Sequence, residues 1–168
     1  MIYSATDKTV IRFIGMRKIK LYPPLLTLLL ILAMLLLHII LSSPLLISAP
    51  FAALGHTLGV VLIVMGLCMN LWSARWFKLK KTTIDPSENA VYLAQEGLYR
   101  ISRNPMYLGM FIMLLGVSIY LGEWLSFLAP PLFLWIVTLR FIRREEQILF
   151  ACFGEDYLQY KARVRRWI

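Results

Sequence analysis

Arg103-Asn104-Pro105-Met106-Tyr107 places a cation, an amide, a helix-opening proline and a phenol within one short stretch, directly before an apolar run that continues to Leu121. Tyr99 and Arg100 lie just upstream, and Arg143-Arg144-Glu145-Glu146 closes the next apolar run. Arginine offers a planar fork for a carboxylate or phosphate, a helix N-terminus offers free N–H groups to the same anions, and carboxylates suit an ammonium or ribose hydroxyls. Brought together, these groups fit a soluble, zwitterionic ligand. Singly, each has a plainer reading: Asn104 is a good N-cap, Pro105 suits the first helical position, Arg103 sits at lipid headgroups, and Glu145-Glu146 is a solvated helix face.

The elements that must position these residues are hydrophobic. Of the 168 residues, 60% are hydrophobic and 16% charged, a balance that points to an integral membrane protein. Residues 21–41 and 51–72 are each long enough to cross about 30 Å of hydrocarbon at about 1.5 Å per residue. After a polar stretch, 74–104, the runs 105–121 and 124–141 follow, separated only by Gly122 and Glu123. So short a link forces these two spans antiparallel, which carries the start of one beside the end of the other and makes the two polar clusters neighbours. Ala129-Pro130-Pro131 removes backbone donors and is expected to kink or break the fourth span. In 144–168, Glu146, Phe150, Phe153, Tyr157, Tyr160 and Val164 recur at spacings of four and three with charges between them, the pattern of an amphipathic helix with a partial break at Gly154. The expected fold is therefore all-α, with four transmembrane helices, a C-terminal amphipathic cytoplasmic helix and a basic tail over 1–20, in a single domain.

Lysine and arginine number 18 against 9 acidic residues, an excess that by itself fits nucleic acid, anionic lipid or topology. Their placement decides: five precede the first span, six fall in 74–104 and seven lie at or beyond Arg140, leaving none in 42–50 or in Gly122-Glu123. The positive-inside rule then gives a multi-pass protein with both termini cytoplasmic, expected in the inner membrane of a prokaryote, with no nucleic-acid partner. The first span exceeds the core of a secretory signal, so the small-residue site at Ser48-Ala49 is read as uncleaved. Cys68 and Cys152 match no disulfide framework, and His38 and His56 lack a second ligand at helical spacing, so no metal is expected.

The joint pattern of Gly97-Leu98-Tyr99-Arg100, Arg103-Asn104-Pro105-Met106-Tyr107, Glu145-Glu146, Phe153-Gly154-Glu155-Asp156-Tyr157 and Tyr160 resembles the isoprenylcysteine carboxyl methyltransferase and phospholipid methyltransferase superfamily, from about Gly59 onward. The resemblance implies a helical membrane bundle that binds S-adenosylmethionine at its cytoplasmic side and methylates a lipidic or small membrane-accessible acceptor. It assigns cofactor binding to Arg103, Pro105, Tyr107, Glu145 and Glu146 by position; Tyr99 and Asn104, in the same polar mouth, are expected to join them, and Arg144 or Arg163 is the candidate catalytic residue to hold an anionic acceptor. Asn104 departs from the histidine of the family's RHPxY element; it still caps and hydrogen-bonds but does not titrate near neutrality. Glu145 and Glu146, about 100° apart on a helix, cannot both face one pocket squarely, and Glu146 is expected to be the more deeply engaged. The acceptor is a prenylcysteine-like carboxylate, a phospholipid amine or a small thiol. Two other classes stand beside this reading, an NADPH-dependent membrane reductase and a nonenzymatic scaffold; the carboxylate pair and the short chain favour the methyl donor.

Overall fold

The computed structural model describes residues 22–41, 51–79 and 92–168. The basic tail, the 42–50 loop with its Ser48-Ala49 site, and residues 80–91 of the polar loop lie outside the described residues. Helix α1 (Pro23–Leu41) is followed by α2 (Ala52–Leu79), α3 (Pro105–Leu121), α4 (Ala129–Val137) and α5 (Arg143–Arg163). No strand occurs among the described residues.

Three helical stretches, Pro23–Leu41, Ala52–Trp76 and Trp124–Arg163, are long and apolar enough to cross a membrane, and Pro105–Leu121 is a shorter apolar helix. On α1 only Leu26, Thr27 and Met34 are buried, while Leu28, Leu29, Leu32, Leu36 and Ile39 point outward. A stripe of exposed leucine on this scale suits acyl chains, against which it loses nothing. Leu26 and Met34 close a core made with Met110, Leu114, Ala129, Phe133, Val137 and Ile142 from the later helices.

Helix α3 is the centre of the bundle, packed against α2, α1 and α4. Its closest approach is to α2 and is made by glycines seven residues, about two turns, apart on each helix. Gly59 faces Gly116, and Gly66 faces Gly109, as antiparallel helices require. A Cβ added at Gly66 would lie 2.4 Å from the Gly109 carbonyl oxygen, and one at Gly59 2.8 Å from that of Gly116. Only glycine allows backbones to come this near, the device by which helices associate where no hydrophobic force separates lipid from leucine.

At one end of the bundle, Gly122 closes α3 in the left-handed conformation (φ 70°), its N–H donating to the Ser118 carbonyl at 2.9 Å. The Ser118 hydroxyl donates to the Ser126 carbonyl at 2.8 Å, across the tight connection. Glu123, 3% exposed, is met by His38 of α1, with Nδ1 2.8 Å from Oε1. His56 rests against the Tyr120 ring at 5.0 Å.

Four expectations need correction. The second hydrophobic helix runs to Leu79 rather than ending at residue 72, because Arg75 and Lys78 can continue a helix outside hydrocarbon. The Pro130-Pro131 pair, expected to kink or break span 124–141, stands in the first turn of α4, where a missing N–H costs nothing, and the part of the span before it, Trp124–Leu128, is a 3₁₀ turn rather than α-helix. Spans 124–141 and 144–168 are not separate, since a π-helical segment, Thr138–Ile142, joins α4 to α5 without a loop, and the first interruption beyond it is at Gly154. The 144–168 stripe is only partly buried, with Tyr157 and Tyr160 inside but Phe150 half exposed. Gly154, at φ 50° and ψ −120°, breaks α5 there, so residues on either side no longer share one helical face.

Candidate active site

Four pieces of chain converge at the end of the bundle opposite Glu123: a 3₁₀ turn, the start of α3, the start of α5 and the residues that follow α5. The first is a 3₁₀ turn, Gly97–Arg100. Gly97 has a φ of 60°, and a Cβ there would fall 2.2 Å from the Trp72 indole, so both the turn and its neighbour demand glycine. Trp72 stacks on Trp76 one turn along α2, with ring centroids 5.2 Å apart. Tyr99 is buried, and its carbonyl accepts a hydrogen bond from the Tyr160 hydroxyl at 2.7 Å. Burial, then the neighbouring Tyr160 and Glu145, push the Tyr99 phenol well above its ordinary pKa, partly offset by Ser73. It stays a neutral hydroxyl throughout the physiological range.

The second piece opens α3. Asn104 holds the N-cap position and Pro105 starts the helix, as expected, but the Asn104 side chain makes no capping bond. Its amide donates instead to the Arg166 carbonyl at 3.1 Å, while its own N–H donates to the Ser102 hydroxyl at 3.1 Å. The capping expectation is therefore corrected: the last residues of the chain compete for that side chain and win. One turn into α3, the Tyr107 hydroxyl donates to the Glu145 carboxylate.

The third piece is the start of α5. Adjacent residues on a helix diverge by about 100°, and the two carboxylates accordingly find different partners. Glu145 takes Tyr107, whereas Glu146 takes two arginines: Arg103 Nη1 lies 3.1 Å from Oε1, and Arg166 reaches Oε1 through Nε at 3.0 Å and Oε2 through Nη2 at 2.8 Å. Arg103 Nη1 also donates to the Tyr157 hydroxyl at 2.9 Å. The fork to Glu146 is the first cause holding the Arg166 guanidinium above its ordinary pKa, so it remains charged. Arg103 is 9% exposed in its side chain and Glu146 14%. In such withdrawn surroundings charge-assisted bonds are strong and unpaired groups costly. One donor is left over, for Arg103 Nε is buried without an acceptor.

The structure thus brings together Tyr99, Arg103, Asn104, Pro105, Tyr107, Glu145 and Glu146 around the joined starts of α3 and α5. Arg144 is half-buried on the same turn as the carboxylates and takes part in none of these bonds. Arg163 stands apart from the Arg103–Glu146 cluster: with Gln95, Glu96, Arg100, Tyr160 and Val164 it lines an open cleft of about 480 Å³, and its Nη2 donates to Gln95 Oε1 at 3.0 Å. Sequence reasoning did not select Ser102, Tyr157 and Arg166 as site residues. Tyr157 was legible as part of an apolar stripe and of the Phe153–Tyr157 motif but with no site role attached, and Arg166 was indistinguishable from the other basic residues near it.

A family model described as phospholipid methyltransferase matches residues 54–156. Over 72 residues, 43% of this chain, the sequence is 39% identical to protein-S-isoprenylcysteine O-methyltransferase of Schizosaccharomyces pombe, covering 30% of that protein. It is 30% identical to the Saccharomyces cerevisiae protein of the same name over 112 residues, 64% of this chain and 46% of that one. An uncharacterized protein of Haemophilus influenzae is matched over its full length, 63 residues at 38% identity, which is 38% of this chain. The chain spans less than half the length of the two yeast relatives. No solved structure matches the chain.

Proposed function

Since the chain belongs to the phospholipid methyltransferase family, we propose that it is a membrane methyltransferase that uses S-adenosylmethionine and methylates a lipidic or small acceptor reached from the bilayer. The observation that carries this reading is the meeting of the α3 and α5 starts, where Arg103 pairs with Glu146 and Tyr107 with Glu145. The residues fit the donor. A buried guanidinium nitrogen without an acceptor, Arg103 Nε, awaits an oxygen such as the amino-acid carboxylate. The first N–H groups of α3 offer further donors; Glu146, expected to engage the donor's ammonium or hydroxyls, has both oxygens taken by Arg103 and Arg166, so that role passes to Glu145 in this reading.

The bound donor supplies a methyl group on a sulfonium, electrophilic without metal or strong acid. The chain's part is to orient and to exclude water. Glu146 fixes Arg103, the Tyr107 hydroxyl fixes Glu145, and the Tyr160 hydroxyl ties α5 to the turn that carries Tyr99. Arg144 lies on the turn of the two carboxylates and Arg163 in the cleft beside Gln95, and in this reading one or the other holds an anionic acceptor. A carboxylate acceptor of the prenylcysteine kind is favoured, because two relatives carry the name isoprenylcysteine O-methyltransferase. The helix lengths and the basic residues support four spans with the site and both termini at the cytoplasmic face, the 17-residue α3 crossing within the bundle.

Calorimetric titration of the purified chain with S-adenosylmethionine and with NADPH tests the reading, followed by methyl transfer to a farnesylcysteine analogue and to phosphatidylethanolamine. Binding of the methyl donor, with transfer to the carboxylate substrate, is expected. Binding of NADPH alone, or of neither, overturns it.

A further inference from the structure

The chain after α5 folds back over the mouth of the site. Val164 leaves helical geometry at φ −121° and ψ 127°, and the residues beyond it run beside the start of α3. Arg103 N–H donates to the Arg165 carbonyl at 3.0 Å, and the Ser102 hydroxyl and Asn104 amide both donate to the Arg166 carbonyl, at 3.2 and 3.1 Å. Trp167 packs against the apolar core. Three bonds converge on two successive carbonyls, which fixes the backbone that carries Arg166. Its guanidinium is delivered to Glu146 as a bidentate fork, the geometry in which arginine binds a carboxylate best.

That fork changes the electrostatics of the mouth. Arg103 and Arg166 together face Glu146, and with Glu145 beside it on α5 two cations balance two carboxylates. Without Arg166 the mouth would carry one negative charge in excess. Arg166 is only 33% exposed in its side chain, and its Nη1 stays outside the fork. Beside it lies Arg103 Nε, a donor with no acceptor. A balanced pair of carboxylates, a partly open guanidinium and a spare buried donor suit an anionic oxygen, which a mouth lacking Arg166 would repel.

We infer that Arg166 is a positioning residue for methyl-donor binding: by clamping Glu146 against Arg103 it fixes the Arg103 guanidinium and gives the mouth the positive charge that receives the donor's carboxylate. This rests on the methyl-donor reading above. It also makes residues 164–168 a wall of the site rather than a trailing end. The competing account is a staple, in which Arg166 merely fastens the chain end to α5.

The test measures binding of S-adenosylhomocysteine and of its decarboxylated analogue to the full chain in detergent, for wild type, Arg166→Gln and Arg166→Lys, with thermal melts alongside. Wild type is expected to prefer the carboxylated ligand. Arg166→Gln should bind it roughly ten- to hundred-fold more weakly, the scale of one charge-assisted contact, and lose much of the preference. Arg166→Lys keeps the charge without the fork, so it should retain the preference while binding more weakly. Should the glutamine variant fail to fold, the lysine variant decides alone: loss of its preference overturns the inference. Glutamine-variant affinities equal to wild type, or lowered by one common factor for both ligands, leave Arg166 a staple and overturn it too. A wild type that binds neither ligand removes the methyl-donor reading, and this inference with it.

Discussion

The contact between α2 and α3 is close enough that a single methyl group should disturb the site. In Gly66→Ala the new Cβ would sit 2.4 Å from the Gly109 carbonyl oxygen, 2.6 Å from Met113 Cγ and 2.9 Å from the Met113 nitrogen. Two of these three atoms are backbone and cannot rotate away. Ordinary contact begins near 3.4 Å, so the helices must part by about 1 Å at this level. Overpacking of this kind costs about 1–3 kcal/mol. The displacement has a second effect, because Gly109 lies one turn beyond Pro105, and moving α3 here moves Tyr107 and Arg103 relative to the carboxylates on α5. A misplacement of about 1 Å costs on the order of a hundredfold in rate when groups must be aligned. Gly66→Ala should therefore melt earlier than wild type in detergent and transfer methyl groups ten- to hundred-fold more slowly by this estimate. Cys68→Ala serves as the control, since Cys68 is exposed on the same helix. A Gly66→Ala protein that melts and turns over like wild type would refute the coupling of glycine packing to the site.

Two further outcomes are expected. His38→Ala leaves Glu123, 4% exposed in its side chain, without the imidazole at 2.8 Å, and should lower stability by about 1–3 kcal/mol, read by thermal melts; recovery on adding Glu123→Ala would identify the stranded carboxylate as the cause, and an unchanged single variant would show the contact to be idle. Asn104→Ala removes the donor to the Arg166 carbonyl and should cost about 0.5–1.5 kcal/mol, while Asn104→His, which restores a donor, should stay near wild type; equal melting of all three would refute a role for the side chain in docking the chain end.

The broad plan was legible because hydrophobic length and the two-residue Gly122-Glu123 link leave few arrangements. Antiparallel α3 and α4 bring Tyr107 to Glu145 and Arg103 to Glu146, as the short link required. Three features had no such signature. The π-helical turn at Thr138–Ile142 consists of residues equally at home in an α-helix. The glycine pairs at 59/116 and 66/109 were visible only as scattered glycines, since their meaning depends on which helix faces which. Arg166 was hidden because charge near a membrane end has a sufficient explanation in topology, and only the reversal after Val164 returns it to the carboxylate. The proline pair misled for a related reason: Pro130-Pro131 breaks a helix that precedes it but begins one that follows, and composition does not say which.

The unbroken run from Trp124 through the carboxylates also acts as a ruler. About 22 residues separate the turn after α3 from Glu145 and Glu146, a helical rise of roughly 33 Å, close to one hydrocarbon thickness of about 30 Å. With no loop along that length, the depth at which the mouth opens is set by the protein and not by the surrounding lipid. In a bilayer of short acyl chains the mouth stands clear in water; in one of long chains it sinks among the esters, unless the bundle tilts to compensate. On the proposed methyltransferase reading, host lipid length would then filter acceptors, separating those whose reactive group floats at the headgroups from those whose reactive group lies deeper.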